Sequence, residues 1–305
     1  MISLLKKIIP LNVKTWISHK WHLFYMVRHE SEISELGRQE INYSLSYALI
    51  NKKYSTFLST CIKRRAGYSS TPLTRIIWWC WLQGEEQAPM LCKACLASLR
   101  RNLPQFEVKV VTEHNMFSYV HFPQHIIEKY KAGSISRTHF SDILRTSLLV
   151  EHGGVWIDST VYCTGYAFPI FDYFFFVYQN WKFNIPQAME ASSWLISARK
   201  GDPILCGVRD LLYKYWADKD CLCHYYLYHF FFKMVTEQYK EEWMAVPRYS
   251  NIPPHIMQFE LFRPYSEERF RQLSAMSDFH KLTWKSTSND KQLEGTLYMH
   301  LCQSK

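Results

Sequence analysis

Residues 135–164, ISRTHFSDILRTSLLVEHGGVWIDSTVYCT, constrain the fold more than any other segment. Apolar side chains at helical spacing fill the first half, and the double glycine Gly153-Gly154 ends the predicted helix. Residues 155–157 are β-branched and aromatic, which predicts a short buried strand. Asp158 follows at the carboxyl end of that strand, where open α/β sheets bind ligands.

Two further strands and one helix are predicted upstream of this segment. Residues 75–82 (RIIWWCWL) and 106–112 (FEVKVVT) have the β-branched and aromatic content of buried strands, and residues 88–102 have helical periodicity. A helix of this length between two strands predicts a right-handed parallel crossover. We therefore expect an α/β fold whose open, mostly parallel nucleotide-binding sheet is flanked by helices.

The net charge of +9 is concentrated near the amino terminus. Residues 1–66 carry 11 Lys and Arg but only 4 Asp and Glu, whereas residues 67–305 carry 25 and 23. We expect a basic amphipathic helical segment over residues 1–66 and the main domain over residues 67–305. A nucleic-acid-binding domain would be expected to carry its basic surface on the folded body, so we expect no nucleic-acid partner.

Residues 1–27 leave two interpretations open. Their apolar side chains have helical spacing, with Lys6, Lys7, Lys14 and Lys20 mostly on other faces. Such a helix could contact an anionic membrane surface or pack across the folded body of the main domain. No apolar run reaches 18 residues, and the nine cysteines lack the spacing of a disulfide framework. These features predict a cytoplasmic protein, and the first of the two interpretations would place it at the inner face of the cell membrane.

Asp142 and Arg145 are three residues apart on the predicted helix and therefore share one face. Together they can hold a sugar or ribose hydroxyl and a phosphate, although the pair could also be a surface ion pair, and Asp158 could cap a turn. The order of the motifs favours a functional site, because the strand ends in Asp158 and the hydroxyl residues Ser159 and Thr160 follow.

Taken together, these motifs resemble the capsular polysaccharide synthesis glycosyltransferases, relatives of the retaining transferases that include yeast initiating mannosyltransferases and glucosylating toxins. The resemblance extends from about residue 72 to the C-terminus. The sequences that carry it are RIIWWCWLQG at 75–84, Ala88-Pro89, SISRTHFSDILR at 134–145, GGVWIDSTVYCT at 153–164, SSWLISARKGDPIL at 192–205 and KLTWK at 281–285.

The resemblance implies a GT-A fold and a hexosyltransferase that moves sugar from a UDP- or GDP-sugar with retention at the anomeric carbon. The acceptor would be a capsule, lipopolysaccharide or other surface glycan, free or lipid-linked. By position, Trp81 would stack on the base, Asp142 and Arg145 would bind ribose, sugar or phosphate oxygens, and Asp158 would begin the D-x-D metal motif. A Mn²⁺ or Mg²⁺ ion would then neutralise the donor diphosphate.

The chain departs from the family pattern at Thr160, which replaces the second acid of the metal motif. One alternative is a metal shared by Asp158, Thr160 and a C-terminal residue, for which His300, after a predicted aromatic strand at 297–299, is the candidate. The other is a cation-independent site that relies on Arg145 and other basic groups, with Lys285 as a diphosphate ligand. Loss of the metal site would instead suit a non-catalytic polysaccharide-assembly protein that keeps the fold.

His224 marks a second departure, since we expect an acid at this place in the family. Either the imidazole has a polar role near the sugar or acceptor, or the aromatic helix that follows, residues 225–232, is simply buried against the sheet.

Overall fold

The computed structural model describes residues 35–63, 72–167, 171, 173, 175–180, 188–284 and 293–304. The chain divides into two compact units, Met1–Leu49 and Ile50–Lys305, and helix α1 (Glu35–Lys63) crosses the division. The predicted membrane-surface segment, residues 1–27, lies outside the described residues, and the predicted boundary at residue 66 stays a prediction. Among the helices that are described, none has the length and apolarity needed to cross a membrane.

The central sheet has five strands in the order β2-β1-β3-β6-β5. Strand β1 pairs in parallel with β2 and β3, whereas β6 is antiparallel to both β3 and β5. Four strands thus share one direction and β6 opposes them, which confirms the predicted open, mostly parallel sheet of an α/β fold. The strands are β1 (Ile76–Cys80), β2 (Glu107–Val111), β3 (Gly154–Ile157), β5 (Phe175–Gln179) and β6 (Ala191–Ala198).

Helices flank this sheet, and one of them, α2 (Met90–Asn102), confirms the predicted crossover between β1 and β2. The other helices after α1 are α3 (Met116–Tyr119), α4 (Gln124–Lys131), α5 (Arg137–His152), α6 (Pro203–Asp218), α7 (Leu227–Thr236), α8 (Lys240–Ala245), α9 (Pro253–Ile256), α10 (Glu267–Ser274) and α11 (Leu297–Gln303). The predicted strand at 297–299 is wrong, because those residues begin α11, where the Thr296 hydroxyl accepts from the Met299 amide as an N-cap.

The junction between α5 and β3 depends on two glycines with positive φ. Gly153 and Gly154 have φ values of 70° and 96°, in the region that favours glycine. A Cβ on Gly154 would lie 2.6 Å from the carbonyl oxygen of Ile76, so a larger residue would push β3 away from β1. The indole of Trp78 donates to the Gly153 carbonyl at 2.9 Å and fixes the turn. This tight connection brings the end of α5 directly into the strand that carries Asp158.

A second, two-stranded sheet lies beyond the end of β3. It pairs β4 (Val161–Cys163) with β7 (Phe279–Lys281) in antiparallel register, and Val161 is opposite Lys281. The amide of Leu282 donates to the carbonyl of Thr160 at 2.9 Å, which extends the pairing by one bond. The register therefore places Lys281 beside Thr160, although 121 residues separate them in sequence.

Candidate functional site

A cavity of about 500 Å³ opens beside the carboxyl end of β3. Its wall includes Asp142 and Arg145 from α5, Asp158 after β3, and Lys281 from β7. Further lining residues come from the segment that leads into α7 and from α7 itself, among them Tyr225, Tyr226 and His229. The cavity thus combines four charged side chains with an aromatic wall at the edge of the sheet where α/β proteins bind ligands.

Arg145 lies between two carboxylates. Its Nη1 is 3.2 Å from Oδ1 of Asp158, and its Nη2 is 3.3 Å from Oδ1 of Asp142. It also donates to the carbonyl of Ser193, and its guanidinium carbon lies 5.0 Å from the centroid of the Trp156 ring. Burial lowers the pKa of Arg145, but Asp158 and Asp142 outweigh burial and raise it overall. The guanidinium is therefore a permanent charge that holds both acids in place.

Asp158 is ionised at neutral pH. Its Oδ1 accepts from the indole of Trp156 at 2.8 Å, and its Oδ2 accepts from Nζ of Lys281, also at 2.8 Å. Burial raises the pKa of Asp158, but the charges of Lys281 and Arg145, together with these hydrogen bonds, have the larger effect. The pKa of Asp158 is therefore below its usual value. Asp158 is thus a carboxylate with a cation on each oxygen.

Lys281 bridges the two positions of the predicted metal motif. Besides its bond to Asp158, Nζ donates to Oγ1 of Thr160 at 2.7 Å. Sequence reasoning included Lys281 in the KLTWK segment but gave it no role. Its position depends on the register of a three-residue strand, and no local signal in the sequence marks that pairing.

The residues present do not fit the Mn²⁺ or Mg²⁺ that the resemblance implies. Such hard ions need several oxygen ligands, carboxylates above all, and here an ammonium already contacts both Asp158 and Thr160. In the described parts of the chain, no group of three or more His, Cys, Asp or Glu side chains converges as metal ligands.

His300, the predicted C-terminal metal ligand, lies on α11. Its ring stacks on Tyr265 with centroids 3.7 Å apart, and Phe270 contacts it edge-on at 5.3 Å. His300 is not among the described residues that line the cavity. The structure therefore brings Asp142, Arg145, Asp158 and Thr160 together but gives His300 a packing environment.

The predicted base platform, Trp81, follows β1 directly. Its ring meets Trp284 edge-to-face with centroids 5.9 Å apart, and its indole nitrogen is buried without a hydrogen-bond partner among the residues that the structure describes. Trp81 does not belong to the cavity lining among the described residues. The predicted diphosphate ligand Lys285 lies outside the described residues.

His224 lies before α7, where its Nδ1 accepts from the amide of Tyr226 at 3.0 Å and its ring packs on Phe230. His229, which sequence reasoning did not single out, lines the cavity instead. Burial lowers the pKa of His229 to about 4, with Arg145 adding to burial and Asp142 opposing it. The cavity wall thus contains a neutral imidazole close to the Asp142–Arg145 pair.

A family model described as capsular polysaccharide synthesis protein matches residues 27–301. Similar solved structures include the PaToxG glycosyltransferase, with 14% identity and a TM-score of 0.40 over 78% of this chain and 87% of that one. Another is the glycosyltransferase GlyE in Streptococcus pneumoniae TIGR4, with 10% identity and a TM-score of 0.39; the match covers 76% of this chain and 61% of GlyE. No curated protein matches the sequence significantly.

Proposed function

We propose, from the premise that this chain belongs to the capsular polysaccharide synthesis protein family, that it is a nucleotide-sugar-dependent glycosyltransferase. The donor would be a UDP- or GDP-sugar, and the acceptor a capsule, lipopolysaccharide or other surface glycan. The observation that carries the proposal is the buried Arg145 between Asp142 and Asp158 in the cavity wall. Such a fixed set of charges suits a ligand with hydroxyls and a diphosphate.

The two carboxylates would bind the sugar. Ionised carboxylates accept hydrogen bonds from hydroxyl groups, and both acids line the cavity. The N–H groups of Arg145 already donate to the carbonyls of Ser193 and Ser141 and to the Ser141 hydroxyl, and its terminal nitrogens form ion pairs with both acids. Arg145 therefore positions the acids and contributes positive charge near the diphosphate. Because this arrangement exists before the donor binds, it costs no reorganisation during the reaction.

Transfer would retain the configuration of the anomeric carbon. The bond from that carbon to the diphosphate oxygen breaks, and the acceptor oxygen bonds to the carbon from the same face. The proton of the acceptor hydroxyl passes to the departing diphosphate, so this route needs no protein base. The base in this route is an oxygen of the departing diphosphate. His229, which is neutral and lines the cavity, then remains available for a hydrogen bond to the acceptor or the sugar.

The test is release of UDP or GDP from a panel of nucleotide sugars, with and without glycan acceptors, followed by NMR of the product anomer. The variant Asp158→Asn should lower transfer at least about 100-fold, because it removes a preorganised charge at the reacting centre. Glu190→Gln is the matched control, since Glu190 is a carboxylate paired with Lys233. If Asp158→Asn transfers sugar as fast as the wild type, Asp158 does not belong to the reacting centre. If the wild type releases no nucleotide from any donor of the panel, the enzyme assignment is wrong and a non-catalytic assembly role is favoured.

A further inference from the structure

We propose that Lys281 replaces the divalent cation of this transferase, so that its ammonium holds the donor diphosphate at the Asp158–Thr160 pair and neither binding nor transfer requires a metal ion. This inference rests on the proposed function. It follows from the contacts of a side chain that neither the motif pattern nor the family match assigns.

The first argument is the position of the charge. Nζ of Lys281 lies 2.8 Å from Oδ2 of Asp158 and 2.7 Å from Oγ1 of Thr160, which are the two side chains that a metal at this motif would use. An ammonium has three N–H donors, and these two contacts use two of them. Lys281 lines the cavity, so its third donor can reach a phosphate oxygen of a ligand there.

The second argument is charge balance. Two acids with one divalent ion form a neutral set, which then meets the negative diphosphate. Asp158, the neutral Thr160 and the ammonium of Lys281 also form a neutral set, and the neighbouring charges of Arg145 and Asp142 balance each other. The site thus has one acid fewer than the usual metal motif, and its cation, the ammonium of Lys281, has one positive charge fewer than a divalent ion. Retention of both acids beside Lys281 would leave one negative charge facing the diphosphate, which explains why Thr160 suits this site.

The third argument is that the backbone fixes this cation. Lys281 is the last residue of β7 and pairs with Val161 of β4, and the Leu282 amide binds the Thr160 carbonyl. Backbone hydrogen bonds on both sides of the contact thus set the distance between Lys281 and the motif. A divalent ion could enter only after the ammonium left Asp158, and the displaced charge would then need another partner.

The experiment is calorimetric titration of inorganic pyrophosphate, UDP and GDP into the full chain, in EDTA and in Mn²⁺. The wild type should bind in EDTA, and Mn²⁺ should change its affinity less than about threefold. Lys281→Met should weaken binding of all three ligands by about 10- to 100-fold, the range expected when a hydrogen bond to a charged group is lost. Uridine and guanosine, which lack phosphate, should bind both proteins equally.

Lys233→Met is the matched control, since Lys233 also binds a carboxylate but does not line the cavity in the described structure. It should leave pyrophosphate affinity unchanged. Lys281→Arg keeps the charge and should retain binding to within about tenfold in EDTA. These two variants separate the loss of a diphosphate contact from a general loss of folded protein.

The exchange variant Lys281→Ala with Thr160→Asp rebuilds an acid pair without the ammonium. It should bind pyrophosphate weakly in EDTA and regain affinity in Mn²⁺. Wild-type binding that depends on Mn²⁺, or an exchange variant that binds in EDTA as well as the wild type, would overturn the role of Lys281 alone. Absence of wild-type binding to pyrophosphate, UDP and GDP under both conditions would overturn the proposed transferase as well.

Discussion

Two clusters in this molecule each combine a lysine, a carboxylate and a threonine, but they use them in opposite ways. The site cluster is Lys281, Asp158 and Thr160, and the scaffold cluster is Lys233, Glu190 and Thr236. In the site cluster the threonine hydroxyl accepts from the lysine at 2.7 Å. In the scaffold cluster the hydroxyl of Thr236 shares its one proton between the glutamate at 3.1 Å and the backbone carbonyl of Lys233 at 2.9 Å, and the lysine binds the other carboxylate oxygen at 2.6 Å.

The direction of the threonine hydrogen bond determines what each cluster can do. In the scaffold cluster, Lys233 is also 3.1 Å from Glu237, so two acids share one ammonium. Burial lowers the pKa of Lys233, but hydrogen bonds and charge from Glu190 and Glu237 raise it overall. In the site cluster, Lys281 has one carboxylate and one neutral acceptor, and it lines the cavity. The scaffold cluster uses its charges within the fold, whereas the site cluster presents them to a ligand.

The largest effect is expected for Arg145→Met, because Arg145 pairs with the oxygen of Asp158 that Lys281 does not contact. The change leaves Asp142 and Asp158 near each other without the cation between them. Removal of one partner from a buried ion pair costs about 3–5 kcal/mol, and transfer should fall at least about 100-fold. Urea unfolding measures the first quantity and nucleotide release the second. Unchanged stability would show that Arg145 is not the shared counter-ion of the two acids.

Lys233→Met should destabilise the scaffold cluster by about 2 kcal/mol, because Glu190 loses its ammonium while it remains partly buried. The second substitution Glu190→Gln, added to the first, should restore part of this loss, since no unpaired carboxylate remains. Urea denaturation of both variants gives the free energies of unfolding. A large fall in pyrophosphate affinity for Lys233→Met would contradict the contrast between the two clusters.

The contacts that lie close together in sequence were predictable, and those that lie far apart were not. The pairing of Asp142 with Arg145 follows from their spacing on one helix, and the position of Asp158 follows from the strand that precedes it. The contact of Lys281 with Thr160 depends on the register of two three-residue strands. Such short strands carry too few residues for a hydrophobic alternation to specify their partner.

The wrong prediction of a strand before His300 has a related physical cause. An apolar run of three residues is compatible with a strand or with the first turn of a helix, and periodicity cannot separate the two. The Thr296 N-cap favours the helix, and His300 on this helix stacks on Tyr265. The sheet was predicted more reliably because β1, α2 and β2 are consecutive in sequence and strongly patterned.

Asp202 is a buried acid that differs from the acids of both clusters in its hydrogen-bond partners. Its Oδ1 accepts from the backbone amides of Ile204 and Leu205 at the start of α6. Burial raises the pKa of Asp202 to about 7 despite these bonds. The folded state then binds the proton more tightly than the unfolded chain, whose pKa is near 4, so stability is lost as pH rises between these values. Relative to Asp202→Asn, wild-type unfolding free energy should fall by about 3 kcal/mol from pH 4 to pH 7. A constant difference in urea titrations would show that Asp202 folds as a carboxylate.

The smallest effects are expected for the two threonines, and they should be opposite in kind. Thr160→Val removes the neutral acceptor of Lys281, so pyrophosphate binding in EDTA should weaken about three- to tenfold as the ammonium loses its fixed position. Thr236→Val removes a donor to Glu190 and should lower the free energy of unfolding by about 1 kcal/mol without changing that affinity. Calorimetry and urea denaturation on both variants measure both quantities. If Thr160→Val and Thr236→Val had the same effects on pyrophosphate affinity and on the free energy of unfolding, the direction of the threonine hydrogen bond would not distinguish the two clusters. The difference between the clusters would then depend on burial alone.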